Sequence, residues 1–296
     1  QQSESQQSQS QQSQPQQPSG PQTPEQQVEQ ELRQAIERMR EAQEELGEGE
    51  REQATEQQRA AEEKLRAAID RLERILRQLR EEEMQRELAR LEARLRKMAA
   101  MQSKVLDDTV ALAATPIVQR NRQTDLKAGD LAFEQKKITL ESDRAMLLLR
   151  EEGSSVALPE VMSQIPSDSK RVAGFLSETK IDVVTQGIQT DILAALEEMI
   201  AATQQAQRDL EQKKQQQQGK PQQGGQQEEP LVEALAELRL IRTMETRIKS
   251  TTERYSGLID SGEQPTSDIL PLLRDLSERQ NRLYRITRDL VLKRNK

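Results

Sequence analysis

The apolar residues of this chain recur in steps of three and four over most of its length, which predicts long amphipathic helices rather than strands. The first row starts after Thr23, Pro24, Glu25 and Gln26: a capping hydroxyl, a proline at the first helical position and a Gln that can reach back to the cap. Val28, Leu32, Ala35, Met39, Ala42 and Leu46 then alternate in steps of four and three, a heptad seam that Gly47 and Gly49 weaken. Ala61, Leu65, Ala68, Leu72, Ile75 and Leu79 repeat the alternation. Leu88, Leu91, Leu95, Met98, Gln102 and Val105 resume it after a change of phase near Glu81 to Glu83, so one long helix is expected over 50–113. Ile69 and Leu76 widen its apolar stripe beyond a two-stranded seam, which predicts a bundle partner.

Thr115 and Pro116 break this pattern, and Leu126, Leu131, Phe133, Ile138, Ala145, Leu148 and Leu149 mark a further helix ending at Gly153. Pro159 and Ser167 each offer a fresh start, so 156–177 reads as one or two short helices. Ile181, Val184, Ile188, Ile192, Ala195, Met199, Ala206 and Leu210 give another long helix. Pro230 opens the next, with Ala234, Leu238, Ile241, Ile248, Thr252, Tyr255 and Ile259 as its seam. After a turn at Ser261 to Pro265, Thr266 or Ser267 is expected to cap a last helix carrying Ile269, Leu272, Leu276, Leu283, Ile286 and Leu290, which closes an antiparallel hairpin.

The fold class expected is therefore all-α: an elongated long-helix or coiled-coil bundle with a C-terminal antiparallel helical hairpin. Its divisions read as a disordered Gln/Ser/Pro tether at 1–22, N-terminal long helices with heptad seams at 23–114, a central helical segment at 115–214, a Gln/Gly/Pro linker at 215–229 and the hairpin at 230–296.

Composition narrows the chemistry. Hydrophobic residues make up 33% and charged residues 32% of the 296, and Phe133, Phe175, Tyr255 and Tyr284 are the only aromatics, so the seams must be built from Leu, Ile, Val, Met and Ala. The charge of −7 arises from 44 basic and 51 acidic residues interleaved as on solvated helix faces. Two biases stand out: an acidic patch from Glu41 to Glu56 and a basic end from Arg274 to Lys296, which could attract each other between chains.

The chain has no His, Cys or Trp, which removes most nucleophile, soft-metal and base chemistry. Gly219 and Lys220 run into Pro221 and make no phosphate loop, no glycine-flanked nucleophile turn surrounds a Ser, and Asp260, Gly262, Glu263 and Asp268 miss the spacing of a calcium loop. No catalytic residue, metal ligand or cofactor site is expected, and the chain reads as a non-enzyme. Leu65, Leu72, Ile75 and Leu79, with Leu238, Ile241, Ile248 and Tyr255, are the candidate partner-binding positions, intramolecular core being the alternative reading of both sets. Arg279, Arg282, Arg285 and Arg288, at three-residue spacing, are candidate anion-binding positions, the basis for an alternative reading as a nucleic-acid-associated, chromosome-organising type of protein.

The stretches ALPEVMSQI, LAALEEMIAATQQAQRDLEQKKQQQQ and EEPLVEALAELRLIRTMETRI resemble those of uncharacterised exported helical proteins of planctomycete-type bacteria. The resemblance covers roughly 150–260 and implies a signal peptide and a periplasmic or envelope location, but brings no activity or functional residue. The start at Gln1 rather than Met is read as a cut, left either by such a peptide or by the loss of further protein, with a cytoplasmic location as the alternative. No run of residues reaches the length of a transmembrane segment. Together these readings predict a structural or scaffolding protein that binds itself, as a homo-oligomer, or another helical envelope protein through its heptad faces.

Overall fold

The computed structural model describes residues 23–152, 155, 157–217 and 234–292. Among the described residues are seven α-helices and no strand: α1 Pro24–Glu48, α2 Arg51–Ala113, α3 Arg122–Glu152, α4 Ala157–Ser177, α5 Val183–Gln217, α6 Ala234–Asp260 and α7 Thr266–Val291. The all-α class stands, and α2 has nearly the bounds its apolar rows predict. The expected tether at 1–22 and residues 218–229 of the expected linker lie outside the described residues. Residues 215–217 are not linker but the last turn of α5.

The chain divides into two units, residues 1–81 and 82–296, and the division falls within α2 at its change of phase rather than at its end. Unit 1 is a hairpin of α1 and the first half of α2. Thr23 and Gln26 form the reciprocal capping box that starts α1. Gly49 ends it at φ 84°, a left-handed conformation in which a side chain would be strained. There the amide of Gly49 bonds the Leu46 carbonyl and that of Glu50 the Glu45 carbonyl, which reverses the chain into α2.

Unit 2 holds the rest of α2 and α3 to α7. Its centre is α4, which packs on α3, α5 and α6 and buries Leu158, Val161, Met162, Ile165, Val172 and Leu176. The two short helices considered for 156–177 are one. Pro159 lies in the first turn, where its missing amide proton would have no helical acceptor, and Pro166 sits inside the helix within a buried face. Packing on three neighbours offsets the single backbone bond that Pro166 forfeits.

Asp182 caps α5, its Oδ1 accepting from the amides of Val184 and Thr185 at 3.1 Å. Helix α7 begins differently from expectation: Pro265 occupies the cap position and no side chain caps the helix, while Ser267 donates to Asp268 instead. Packing of α7 on α6 gives the expected C-terminal helical hairpin.

Candidate interaction surfaces

In unit 1 the hairpin seam is built from the smallest apolar residues. Val28, Ala35 and Ala42 of α1 and Ala54, Ala61 and Ala68 of α2 are buried, each set in seven-residue steps. Because the helices run in opposite directions, the two ladders match Val28 with Ala68, Ala35 with Ala61 and Ala42 with Ala54. One flank of this seam is polar: Arg38 Nη1 donates to Gln57 Oε1 at 3.0 Å, and Arg71 pairs with Glu31 at 3.1 Å. On each helix the other flank, four residues beyond the ladder, is aliphatic apart from Gln58. Two antiparallel helices are related by a two-fold axis normal to their plane, so equivalent flanks share one side of the hairpin. That side carries Leu32, Ile36, Met39 and Leu46 from α1 and Ile69, Leu72, Leu76 and Leu79 from α2, all 38–53% exposed, with half-buried Leu65 between them.

The N-terminal candidates therefore separate by position. Leu65 and Ile75 are half-buried, whereas Leu72 and Leu79 are exposed members of this aliphatic row.

In unit 2 the C-terminal candidates separate more sharply. Ile241 and Tyr255 lie inside the chain's own core, Ile248 is half-buried and Leu238 is exposed. The buried stripe of α6 runs through Leu240, Met244, Thr251, Tyr255 and Leu258, rotated from the expected seam. The physical reason is that Met244 and Tyr255 reach the space between α4, α5 and α7, and their phase sets that of the helix.

Sequence reasoning also missed a row on α3. Leu126, Phe133, Leu140 and Leu147 follow one another at intervals of seven and are 59–62% exposed. The apolar pattern puts Leu126 and Phe133 in one row with Leu131, Ile138 and Ala145, which instead define the core face of the same helix.

The anion-binding candidates are largely spoken for. Arg279 is 9% exposed and clamps Asp168 of α4: its Nη1 donates to Oδ2 at 2.7 Å and its Nη2 to Oδ1. The same Nη2 donates to Asp275 Oδ2 at 2.8 Å, and Arg171 meets that carboxylate at 2.9 Å. Burial disfavours charge on Arg279, but Asp168 and Asp275 reverse that effect and raise its pKa above the ordinary guanidinium value. Arg282 Nε donates to Glu160 at 3.1 Å, and Arg288 pairs with Asp289 at 2.9 Å. Arg285 is exposed. Arg279 is thus corrected from a candidate phosphate contact to a structural cation.

A cavity of about 30 Å³ lies between α4, α5, α6 and α7, with Asp168, Asp191 and Asp275 balanced by Arg171, Arg247 and Arg279 in its wall. It has room for roughly two waters, not for a metabolite. Asp191 is held by Arg254, and Glu198 by Arg247. Among the described residues no group of three or more acidic side chains could hold a metal ion.

A second buried polar cluster ties α2, α3 and α4 together. Gln135 Nε2 donates to Gln102 Oε1 at 2.8 Å and to Ser169 Oγ at 2.9 Å, while Thr139 donates to Ser169 at 3.0 Å. Gln189 of α5 donates to Thr109 of α2 at 3.0 Å. These bonds fix helix register; they enclose no reactive group.

No protein-family description, curated protein or solved structure matches the chain. No described helix is long and apolar enough to cross a membrane.

Proposed function

We propose that this protein is a structural or scaffolding component that binds a second copy of itself or another helical protein through exposed heptad faces, in a bacterial cell envelope. The observation that carries the reading is the pair of aliphatic rows, on the α1/α2 hairpin and on α3, that remain 38–62% exposed at helical spacing. Large aliphatic patches on a surface rich in charge are costly unless something covers them. Seven-residue spacing is the pattern that a facing helix fills.

The envelope location rests on the resemblance of the central and C-terminal stretches to exported helical proteins and is tested by fractionation of the cells that make the protein. The nucleic-acid alternative loses its strongest element, since Arg279 is committed to Asp168, and Arg282 and Arg288 face carboxylates.

The native mass of the protein in cell extract distinguishes these readings. Scaffolding through apolar faces predicts a particle heavier than one chain that persists in about 1 M salt, where exposed ion pairs are screened. A particle of single-chain mass contradicts it. So does retention on DNA that falls steeply with salt and disappears when Arg282, Arg285 and Arg288 are changed to Gln.

A further inference from the structure

The aliphatic row on the hairpin is self-complementary, and we infer that its occupant is the same row on a second copy of this chain. This deepens the scaffolding proposal and rests on it. The matched ladders place Leu32 of α1 beside Leu65 of α2, because Val28 is level with Ala68 and Ala35 with Ala61. From that meeting point the row diverges. On α1, Leu32, Ile36, Met39 and Leu46 run toward the Gly49 turn, while on α2, Leu65, Ile69, Leu72 and Leu79 run away from it. The result is one continuous diagonal ridge that crosses the hairpin from α1 to α2.

The spacing on the two sides of the crossing is the same. Counting outward from Leu32 gives steps of four, three and seven, and counting outward from Leu65 gives the same steps with Leu76 added, which falls opposite Gln43 of the second copy. A two-fold axis through the crossing, perpendicular to the ridge, therefore lays each half on the other half of a second copy. Leu32 meets Leu65 of the second copy, Ile36 meets Ile69, Met39 meets Leu72 and Leu46 meets Leu79. This is an isologous contact, in which every pairing occurs twice.

Charge favours the same arrangement. Helix α1 carries eight Glu and three Arg, whereas α2 between Arg66 and Arg80 carries five Arg against Asp70 and Glu73. Laying α1 on α2 of the other copy sets a helix that is acidic overall against a stretch that is basic overall. Laying α1 on α1 would oppose like charges. The area is also adequate. Eight aliphatic side chains about half exposed offer on the order of 600 Å² per copy, at the upper end for one patch on a soluble monomer. Rim contacts bring that near the roughly 800 Å² each partner gives to a standard interface.

The chain has no cysteine, so introduced thiols report one contact each. Ile36→Cys and Ile69→Cys chains, differently tagged and co-expressed at full length, should form a disulfide between the two tags. Either variant alone should not, because the two-fold axis keeps each position away from its own copy. Met39→Glu and Leu72→Glu, at exposed positions, should leave the helical signal and unfolding temperature unchanged while weakening self-association at least about 100-fold, like charges being driven into an apolar contact.

Cross-linking of either variant with itself as strongly as with the other overturns the inference. So does a dimer that survives Met39→Glu and Leu72→Glu but is lost in Phe133→Glu with Leu140→Glu; that result moves the interface to α3 and leaves self-association intact. A wild-type chain that stays monomeric at about 100 μM, far above the Kd of a standard-size interface, overturns it as well. In that case binding of a different helical protein stands or falls by the native-mass experiment alone.

Discussion

Arg279 of α7 and Asp168 of α4, 111 residues apart in sequence, form a buried two-bond clamp inside unit 2, with half-buried Asp275 and Arg171 completing a quartet. Both charges have left water, so each depends on the other for solvation. Asp168→Ala or Arg279→Ala should each destabilise the protein by about 3–5 kcal/mol in urea unfolding, and the double variant should cost clearly less than the two combined. Arg285→Ala, at an exposed position, should change stability by no more than about 0.5 kcal/mol.

Gly187 of α5 lies under the guanidinium of Arg254, and a Cβ there would approach Arg254 Nε to 3.0 Å. Gly129, Gly174 and Gly257 sit in helices with nothing within 4 Å of an added Cβ. Alanine at each of these three should stabilise by roughly 0.5–1 kcal/mol, the helix-propensity gain. Alanine at Gly187 has the same gain but pushes Arg254 off Asp191, so its thermal midpoint should not rise. A rise equal to the other three would show that the Arg254–Asp191 contact contributes nothing.

The buried Gln135 amide joins Gln102 to Ser169. Gln135→Ala leaves both buried groups without that partner and should cost about 1–3 kcal/mol for the unsatisfied groups, with a further loss for the cavity. Replacing Gln102 and Gln135 together by Leu removes the polar groups at both ends of one bond and should recover much of that loss. Chemical denaturation of the three proteins checks the order.

Stability should respond to acid and hardly at all near neutrality. The Gln204 amide bonded to Glu92 and the Lys97 ammonium bonded to Glu141 outweigh burial and hold both carboxyls below the usual range. Burial raises Asp275, but Arg279 and Arg171 overcome it and the net shift is downward. A carboxyl whose folded pKa is depressed stabilises the fold at pH values above its unfolded pKa, and that stability drains away as pH falls through the folded value. The loss should therefore set in below about pH 4. Tyr255 is shifted upward by burial, so its contribution is present below about pH 10 and is lost as pH rises further. With no His and no Cys, the unfolding midpoint should be nearly flat from about pH 6 to 9. A step inside that window would contradict this assignment.

Helix existence and most boundaries were legible because apolar periodicity over long stretches leaves little choice, as the agreement of α2 with its predicted span illustrates. The choice of contact face was less legible. Val28, Leu32, Ala35, Met39, Ala42 and Leu46 form one heptad row in sequence, yet only Val28, Ala35 and Ala42 enter the hairpin seam. Period alone does not say which half of a stripe meets the partner, and two helices that approach closely favour the small half. The quartet did leave a signal. Arg279 falls on the apolar row Leu272, Leu276, Leu283, and Asp168 on the row Ile165, Val172, Leu176, so each is a charge at a core position. What sequence could not give is that these two, from helices distant in the chain, answer each other.

The account holds that exposed helical rows, not a pocket, are the working surface. Site-specific photo-cross-linking in living cells tests this most directly, with the reactive residue placed at Leu72, at Leu140, or at exposed polar Asp107. The account predicts covalent protein adducts from Leu72 or Leu140 and none from Asp107. Equal adduct patterns from all three positions, or none from either aliphatic position, would contradict it.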